Sequence, residues 1–319
     1  MPRSRLSLHA LALLCAGLLA GACVPAEPEV IEFREFDPLT TVMGVIQEEG
    51  VLRAGVPSDH PSLAQLNGAG EYEGLVVDLA NSIADTLRVE LEIVAVPSDD
   101  LLDLLPPSPP PADEAYAYDA GEADVVFPVV PITERAVRRN AFTDPYLVGH
   151  QQLLARGPLA LRDDFGAHLE PLSGEKVCSV GKDPTIVDLA QLNPEIDLLR
   201  SNDPELCYEG LVGGGLDVVA GPDVVLRDMQ VRFQAEECPG EGSCGPAGNA
   251  PQIVGDALNT VGYGAVVVAG ASGWRSFVEG SFRELETEGG WFDPIGTGDD
   301  IPPELTVEES AALYPVEAE

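Results

Sequence analysis

The sequence predicts an α/β protein of two lobes, in which mostly parallel sheets are flanked by helices. Two observations favour this class. Short apolar runs typical of buried strands alternate along the chain with segments of helical spacing, which is the pattern of sheets covered on both faces. About 270 residues remain for the folded body once the terminal segments are set aside, and a chain of that length forms two cores more readily than one.

The N-terminus has the features of an export signal. Arg3 and Arg5 precede an apolar run over residues 6–19, and small residues follow it. This run is shorter than the ~20 residues that a membrane-spanning helix needs. We expect residues 1–22 to be a signal peptide, and we expect the mature protein to act outside the cytoplasm, at the cell surface or in the periplasm.

Cys23 is a candidate site of lipid attachment. The residues before it, Leu19-Ala20-Gly21-Ala22, resemble the lipobox of bacterial lipoproteins, although Ala20 stands where a Leu is usual. Cleavage there would leave a lipid-bearing Cys23 that anchors the protein through acyl chains. A plain secretory signal is the alternative. Residues 23–42 are rich in Pro and Glu and suit an acidic tether between the lipid and the folded body.

Acidic residues dominate the chain. There are 54 of them against 17 basic residues, which gives a formal net charge of −37 at pH 7. They are spread over the whole sequence, so the surface as a whole is negative. Such a surface argues against nucleic acid and anionic membranes as partners. Net charge governs solubility rather than fold, so a salty habitat explains the acidity as well as any function does.

Four cysteines remain in the folded body, namely Cys178, Cys207, Cys238 and Cys244. An even number outside the cytoplasm favours two disulfides. Cys238 and Cys244 bracket a flexible loop that a bridge could close, which leaves Cys178 to pair with Cys207. A zinc site is the alternative, but the four lack paired CxxC spacing and a nearby His. We expect no metal and no cofactor.

The folded body is expected to begin near Met43 with a β-α-β unit. Residues 50–56 and 89–96 are strand-like, and residues 74–87 between them carry apolar residues at helical spacing. The Pro-rich run at 106–112 can continue neither a helix nor a strand, which predicts a surface insertion.

The same alternation continues towards the C-terminus. Strand-like runs lie at 123–130, 176–180, 216–220 and 261–269, and helix-like segments at 184–192, 205–212 and 273–288. Residues 297–319 form an acidic tail that we expect to be only partly ordered.

The stretch 121–146 is the most informative for function. An apolar strand over 125–130 ends in a turn, and Thr133 can then cap a helix whose first turn carries Arg135. A helix N-terminus offers N–H groups to an anion, and an Arg side chain suits a carboxylate. A strand–turn–helix unit of any α/β protein is the alternative interpretation.

Several motifs in a fixed order resemble one protein family. They are the strand and loop at 52–61 (LRAGVPSDHP), the helix start at 74–80 (GLVVDLA), the block 121–146, the strand at 176–181 (KVCSVG) and the segment at 215–219 (GLDVV). Together they resemble family 3 extracellular solute-binding proteins, the amino-acid-binding components of ABC importers, over roughly residues 43–295. They are especially similar to the glutamate-binding lipoproteins of actinobacteria.

The resemblance implies the two-lobed venus-flytrap fold of type II periplasmic binding proteins. Lobe 1 would comprise residues 43–148 plus 258–295 and lobe 2 residues 150–256, with two crossovers as the hinge. Such a protein is a monomer and not an enzyme: it closes over a small polar solute, usually an amino acid, and presents it to a membrane permease. The resemblance also places Cys178 and Cys207 in a disulfide.

The resemblance implies ligand-binding positions on both lobes, where this chain has Asp59, His60, Thr133, Arg135, Lys182, Asp183, Thr185 and Asp223. The carboxylate of an amino acid needs a bidentate donor, and its ammonium group needs an acidic acceptor. Three positions depart from the family pattern. Ala136 holds the place of the family Arg, and Arg135 lies one residue earlier. Pro131 replaces a hydroxyl residue, and Pro222 replaces the acidic residue, which leaves Asp223 one place later.

Two other functions compete with amino-acid capture. A degenerate flytrap could act as a sensor or accessory domain for a non-amino-acid ligand or a protein partner. Convergence of Arg135 and Asp223 on one cleft would favour amino-acid binding over this alternative. An enzyme is the third possibility, because such folds can host lyases. Glu73, Glu134 and His60 are candidates for proton transfer, although no motif joins them.

Overall fold

A computed structural model describes residues 35–37, 41–105, 121–162, 165, 169–181, 185–238, 250–287 and 305–315. The chain divides into two units, residues 1–35 and residues 36–319, and the description below concerns the second. The predicted signal peptide, most of the predicted tether, the Pro-rich insertion, Lys182, Asp183 and Cys244 lie outside the described residues.

Helices and strands alternate along the described residues, as the sequence pattern predicts. In chain order they are α1 (Val42–Glu49), β1 (Val51–Pro57), β2 (Gln65–Leu66), β3 (Tyr72–Glu73), α2 (Leu75–Leu87), β4 (Glu90–Val96), β5 (Val125–Val126), α3 (Glu134–Val137), β6 (Ala141–Gly149), β7 (Gln151–Ala155), β8 (Lys176–Val180), α4 (Leu189–Leu192), β9 (Asp197–Ser201), α5 (Pro204–Val212), β10 (Val218–Pro222), α6 (Asp223–Glu237), β11 (Gln252–Val254), β12 (Val261–Val267), α7 (Ser272–Thr287) and α8 (Val307–Leu313). Short 3-10 turns lie at Ser98–Leu104, Gly157–Leu161 and Glu170–Leu172. Among the described helices, none has both the length and the apolar character needed to cross a membrane.

Two five-stranded sheets form the two lobes. The sheet of lobe 1 has the order β4-β1-β5-β12-β6, and the sheet of lobe 2 has the order β11-β7-β10-β8-β9. The predicted two-lobed α/β class is confirmed. The sheets are mixed: β1 pairs in parallel with β4 and β5, and β8 with β9 and β10, whereas β6, β7, β11 and β12 form antiparallel pairs. The chain passes from one sheet to the other between β6 and β7 and again between β11 and β12. Each antiparallel pair in these two sheets includes at least one of these four strands.

Helix α2 shows why the sequence of lobe 1 folds as it does. Leu79, Ile83 and Leu87 recur every four residues and are fully buried, which is the apolar stripe that predicted this helix. The helix follows Gly74, whose φ is 128°, and a Cβ at this position would lie 2.4 Å from the carbonyl oxygen of Leu63. The glycine of this helix start is therefore required by close packing against the loop after β1.

A disulfide fastens lobe 2. Cys178 in β8 and Cys207 in α5 are bonded, with their Cα atoms 5.7 Å apart, as the sequence suggests. Both residues are fully buried beside the apolar side of α6. Cys238, which ends α6, is also disulfide-bonded. Strand β8, the helix α5 and the end of α6, the longest described helix of this lobe, are thus covalently restrained.

Hydrogen bonds hold the two crossovers together. Asp223, the first residue of α6, donates its backbone N–H to the carbonyl of His150 at 2.8 Å, and its Oδ2 accepts the N–H of His150 at 2.7 Å. Gly149 makes room for this carboxylate, since a Cβ there would lie 2.7 Å from Asp223 Oδ1. In the second crossover, Asn259 Oδ1 accepts the N–H of Gln151 at 2.6 Å. The hinge is therefore a connected network rather than two separate strands.

The acidic C-terminal tail, expected to be only partly ordered, contributes a helix that docks on lobe 1. Thr306 caps α8 in a capping box, and the N–H of Val307 donates to Oδ1 of Asp144 at 3.0 Å. Ser310 is fully buried at a place that Gly262 leaves open, because a Cβ on Gly262 would lie 2.5 Å from Ser310 Oγ. This helix is thus part of the packing of lobe 1.

Candidate functional site

The predicted ligand-binding residues lie after the ends of strands in both lobes. Asp59 and His60 follow β1, and Thr133 and Arg135 follow β5. Thr185 follows β8 in lobe 2, and Asp223 follows β10. The carboxyl ends of strands are where open α/β sheets bind their ligands. The described candidates therefore occupy the usual binding edge of each sheet.

The start of α3 satisfies its hydrogen-bonding groups within lobe 1. Thr133 is buried, and its Oγ1 accepts the N–H of Ala136 at 3.2 Å. The N–H of Glu134 donates to the carbonyl of Tyr314, just beyond α8, at 3.2 Å. The C-terminal segment thus occupies an N–H group that a bound anion would otherwise use.

Arg135 and Asp223 differ in their surroundings. Arg135 is exposed, whereas Asp223 is fully buried at the crossover. Ala136, at the position of the family Arg, packs against an apolar cluster that includes Val307 and Ala311 of α8. At this helix an apolar contact therefore stands where the resemblance implies a cation.

Asp223 holds backbone groups of the hinge. Its Oδ1 accepts the N–H of Val224 at 2.8 Å, and its Oδ2 accepts that of His150 at 2.7 Å. Charge-assisted bonds of this kind are strong in a buried setting. The carboxylate therefore fixes the first turn of α6 against the crossover.

His60 joins the two lobes. Its Nδ1 lies 2.6 Å from Oδ2 of Asp228, which belongs to α6 of lobe 2. Asp228 Oδ1 also accepts the backbone N–H of Ser62 at 2.8 Å. The side chains of His60 and Asp228 are 13% and 14% exposed. Because an ionised carboxylate can only accept hydrogen bonds, Nδ1 of His60 carries the proton in this pair.

The pKa of His60 is raised above its ordinary value. Burial disfavours the charged imidazolium and lowers the pKa, but the hydrogen bond and the charge of Asp228 outweigh burial, with smaller contributions from Asp59 and Asp99. Asp59 also accepts the N–H of Ser98 on Oδ1 at 2.9 Å, which fixes the loop after β1. The acidic groups around His60 therefore favour the charged form of its own imidazole.

The hinge holds the loop after β8. Thr185 is buried, and its carbonyl accepts a hydrogen bond from Nδ2 of Asn259 at 2.6 Å. Oε1 of Gln151 accepts the N–H of Val187 at 2.6 Å. Because Asn259 and Gln151 lie at the two crossovers, the loop of lobe 2 that faces the predicted cleft is coupled to the hinge.

Sequence reasoning missed Asp228, Ser62, Gln151 and Asn259. Asp228 lies about one turn after Val224 on the same face of α6, and Val224 is fully buried within the core cluster of lobe 1. Periodicity places the two residues on one face, but it does not show that this face meets the other lobe. Ser62 acts through its backbone N–H, which no side-chain pattern reveals.

The described residues bring together neither a metal site nor a set of proton-transfer groups. They contain no group of three or more His, Cys, Asp or Glu side chains that could hold a metal ion. Glu73 is exposed on the β2–β3 hairpin. Glu134 forms an ion pair with Arg138, and His60 pairs with Asp228. The three candidates for catalysis thus belong to separate interactions.

Comparison with known proteins agrees with this architecture. The sequence pattern of bacterial extracellular solute-binding proteins, family 3, matches residues 52–289, which is more than half of the chain. The glutamate-binding protein GluB of Corynebacterium glutamicum is 24% identical over 264 residues, covering 81% of this chain and 85% of the relative. GluB of Corynebacterium efficiens is 26% identical over 250 residues, covering 76% and 79%.

Solved structures share the fold. An ancestral cationic amino acid solute-binding protein, AncCDT-1, superposes with a TM-score of 0.58 at 17% identity, covering 80% of this chain and 98% of the other. The arginine-bound form of truncated ArgBP from T. maritima gives a TM-score of 0.51 at 25% identity, covering 76% and 99%. The family and these relatives are binding proteins, not enzymes. From the matched region, its motifs and its two sheets, the chain belongs to the bacterial extracellular solute-binding proteins of family 3.

Proposed function

We propose that this protein captures a small polar solute, an amino acid or a close relative, outside the cytoplasmic membrane for an ABC importer. Family membership supports solute binding, and the names of the two Corynebacterium relatives support an amino acid. The observation that carries the proposal is the contact of His60 with Asp228, because it brings the loop after β1 in lobe 1 against α6 of lobe 2.

The solute is proposed to bind between the loops after β1 and β8. Asp59 and His60 would contact it from lobe 1, and Thr185 from lobe 2, together with Lys182 and Asp183 of the same loop. The hydrogen bonds from the crossovers to the loop after β8 support this assignment, because they would transmit hinge bending to the solute. Thr133 and Asp223 would support the site by fixing α3 and the hinge, while Arg135 would reach the solute only after α3 is repositioned.

The protein is proposed to be a monomer that is tethered through lipid on Cys23. Replacing Cys23 by Ser should release the protein from cells into the medium, whereas Cys15→Ser, within the proposed signal peptide, should leave it bound to cells. Fractionation and immunoblotting would measure this. Retention of the Cys23→Ser variant on the cells would refute the lipid anchor without affecting the proposed solute binding.

A second candidate function is favoured by the start of α3. Pro131 has no N–H to donate, Ala136 is apolar, and the N–H of Glu134 is bonded to Tyr314. A cleft that has lost these carboxylate donors suits a sensor or accessory domain, which would bind a non-amino-acid ligand or a protein partner.

A thermal-shift screen of the full chain with Cys23→Ser distinguishes the two functions. The panel should contain the amino acids, small peptides, polyamines and sugars. A solute that binds only the folded state at 100 times its Kd adds about 2.7 kcal/mol of stability, so the midpoint should rise with concentration.

A concentration-dependent rise with one class of amino acids would support the transport function. Protein that is folded by circular dichroism but shows no shift with any solute would contradict it and favour the second candidate. A shift with sugars or polyamines alone would reject the amino acid and favour the non-amino-acid ligand of the second candidate.

A further inference from the structure

The contact between His60 and Asp228 has the geometry of a bound carboxylate. Two donors of lobe 1, the His60 imidazole and the Ser62 N–H, converge on the two oxygens of one carboxylate at 2.6 Å and 2.8 Å. Paired donors to two carboxylate oxygens are the arrangement by which proteins recognise this group. Here the carboxylate comes from the opposite lobe of the same chain.

The donors lie on a loop that is fixed independently of Asp228. Asp59 Oδ1 accepts the N–H of Ser98, and the carbonyl of His60 accepts the N–H groups of Leu63 and Ala64 at 2.9 Å and 3.0 Å. Lobe 1 therefore positions the two donors by its own hydrogen bonds, and they would keep their places if Asp228 moved away.

Helix α6 is the element of lobe 2 that carries Asp228 to this loop. Val224, about one turn earlier on the same face, is fully buried in the core cluster of lobe 1. Leu226 and Met229, on the other side of the helix, belong to a core cluster of lobe 2. Separation of the lobes would thus carry Asp228 away from His60 and expose both donors together.

We propose that His60 and the N–H of Ser62 form a carboxylate-binding site on lobe 1, that Asp228 occupies this site when the lobes meet, and that a carboxylate of the solute enters by exchange with Asp228. This inference rests on the proposed solute-binding function and specifies how the site is regulated. Asp228 then acts both as a latch between the lobes and as an internal competitor of the solute.

The proposal accounts for two features that otherwise stand apart. The start of α3 has lost its carboxylate donors to Pro131, Ala136 and the contact with Tyr314. The loop after β1 offers hydrogen-bond donors to a carboxylate on the same lobe. Exchange, rather than simple addition, avoids the repulsion of two carboxylates that meet at one site.

The latch is tested without any amino acid. Small-angle X-ray scattering and hydrogen exchange should compare the full chain carrying Cys23→Ser with its Asp228→Ala variant. We expect a larger radius of gyration and exchange at the Ser62 amide at least ten-fold faster in the variant. Glu237→Ala is the matched control, because Glu237 is an exposed carboxylate on the same helix, and it should behave as the parent does.

The carboxylate site is tested with acetate. In Asp228→Ala, acetate should shift the NMR signals of the His60 ring in a saturable manner, and the parent should need at least ten-fold more acetate for the same shift. If Asp228→Ala fails to fold, Asp228→Asn, which keeps the side-chain volume, replaces it in both experiments.

Each result decides one part of the proposal. Unchanged scattering and unchanged exchange at Ser62 would overturn the latch. An absent or non-saturating shift of His60 would overturn the carboxylate site. Neither experiment depends on the solute of the protein, so a failed amino-acid screen would refute the proposed function and leave these two results to be judged separately.

Discussion

The start of α3 and the loop after β1 are two sites on lobe 1 that could each hold a carboxylate, and they differ in what satisfies their donors. At α3 the donors are used within the lobe, by Thr133 and by the carbonyl of Tyr314. At the loop, the donors of His60 and Ser62 are used by Asp228 of the other lobe.

This difference separates stability from binding. Hydrogen bonds within one lobe are kept whether the lobes are together or apart, so the start of α3 contributes to folding and is insensitive to closure. Hydrogen bonds between the lobes are lost when the lobes separate. The loop after β1 therefore contributes to the equilibrium between the open and closed arrangements of the lobes. Substitutions at the two places should therefore change different measurements.

The largest expected effect comes from breaking the contact of α8 with α3. Val307→Asp places a carboxylate in the apolar cluster of lobe 1, where Val307 is 7% exposed. We expect the free energy of unfolding to fall by about 2–4 kcal/mol, since a buried unpaired charge is among the costliest substitutions. Chemical denaturation would measure it, with the exposed Glu308→Ala as control; equal stability of the two variants would contradict the docking of α8.

Thr133→Ala, also at the start of α3, should lower the free energy of unfolding by a smaller amount. It removes the N-cap of α3, which costs about 1 kcal/mol in unfolding free energy. Thr133→Ser keeps the hydroxyl and should restore most of this loss. A change in the compactness of the folded protein, without loss of stability, would mean that α3 takes part in closure after all.

A change of pH should affect the loop after β1, which carries His60, rather than the start of α3. Because the folded pKa of His60 is raised, its charge stabilises the contact fully below the ordinary pKa of about 6.5, and this stabilisation is lost as the pH rises through the raised pKa. The charged groups that face His60 are Asp228 on α6, Asp59 on its own loop and Asp99 in the 3-10 turn after β4.

We therefore expect exchange at the Ser62 amide, corrected for its intrinsic pH dependence, to accelerate as the pH rises through this range. The change corresponds to about 1 kcal/mol or less, as is usual for ion pairs that water reaches in part. His60→Gln should abolish the extra pH dependence. A parent protein with the same corrected profile as His60→Gln would show that the charge of the imidazole does not hold the lobes.

Arg135→Ala should have the smallest effect. Arg135 is exposed, so its loss should change the free energy of unfolding by less than about 0.5 kcal/mol. Because the proposed site lies between the loops after β1 and β8 and needs no contact from Arg135, solute affinity should also be retained. Calorimetric titration of the solute found by the screen would test this. A loss of most of the affinity would mean that Arg135 on α3 binds the carboxylate of the solute.

The sequence predicts the frame of this protein well because the frame depends on local pattern. The spacing of Leu79, Ile83 and Leu87 predicts α2, and the apolar run at 216–220 corresponds to β10, found at Val218–Pro222. The cysteines predict the bond between Cys178 and Cys207. The helix and the strand need only periodicity, and the disulfide needs the short loop between Cys238 and Cys244 together with the family resemblance.

The candidate site depends on contacts that no local pattern contains. His60 and Asp228 are 168 positions apart in the sequence, and the capping of Glu134 by Tyr314 joins a motif of the family to a segment outside it. Asp223 shows a further limit of prediction from sequence motifs. Its place near the family's acidic position suggests a ligand contact, but a one-residue shift turns the carboxylate towards the backbone of His150.

The C-terminal helix also offers a way to observe the molecule bending. Tyr314 donates its hydroxyl to the carbonyl of Thr260 in the second crossover at 2.7 Å, while Ala312 nearby is exposed. A fluorescent label attached to a cysteine introduced at position 312 would sit beside the hinge and far in sequence from His60. The same helix that seals α3 could thus convert the protein into an optical sensor of its own solute.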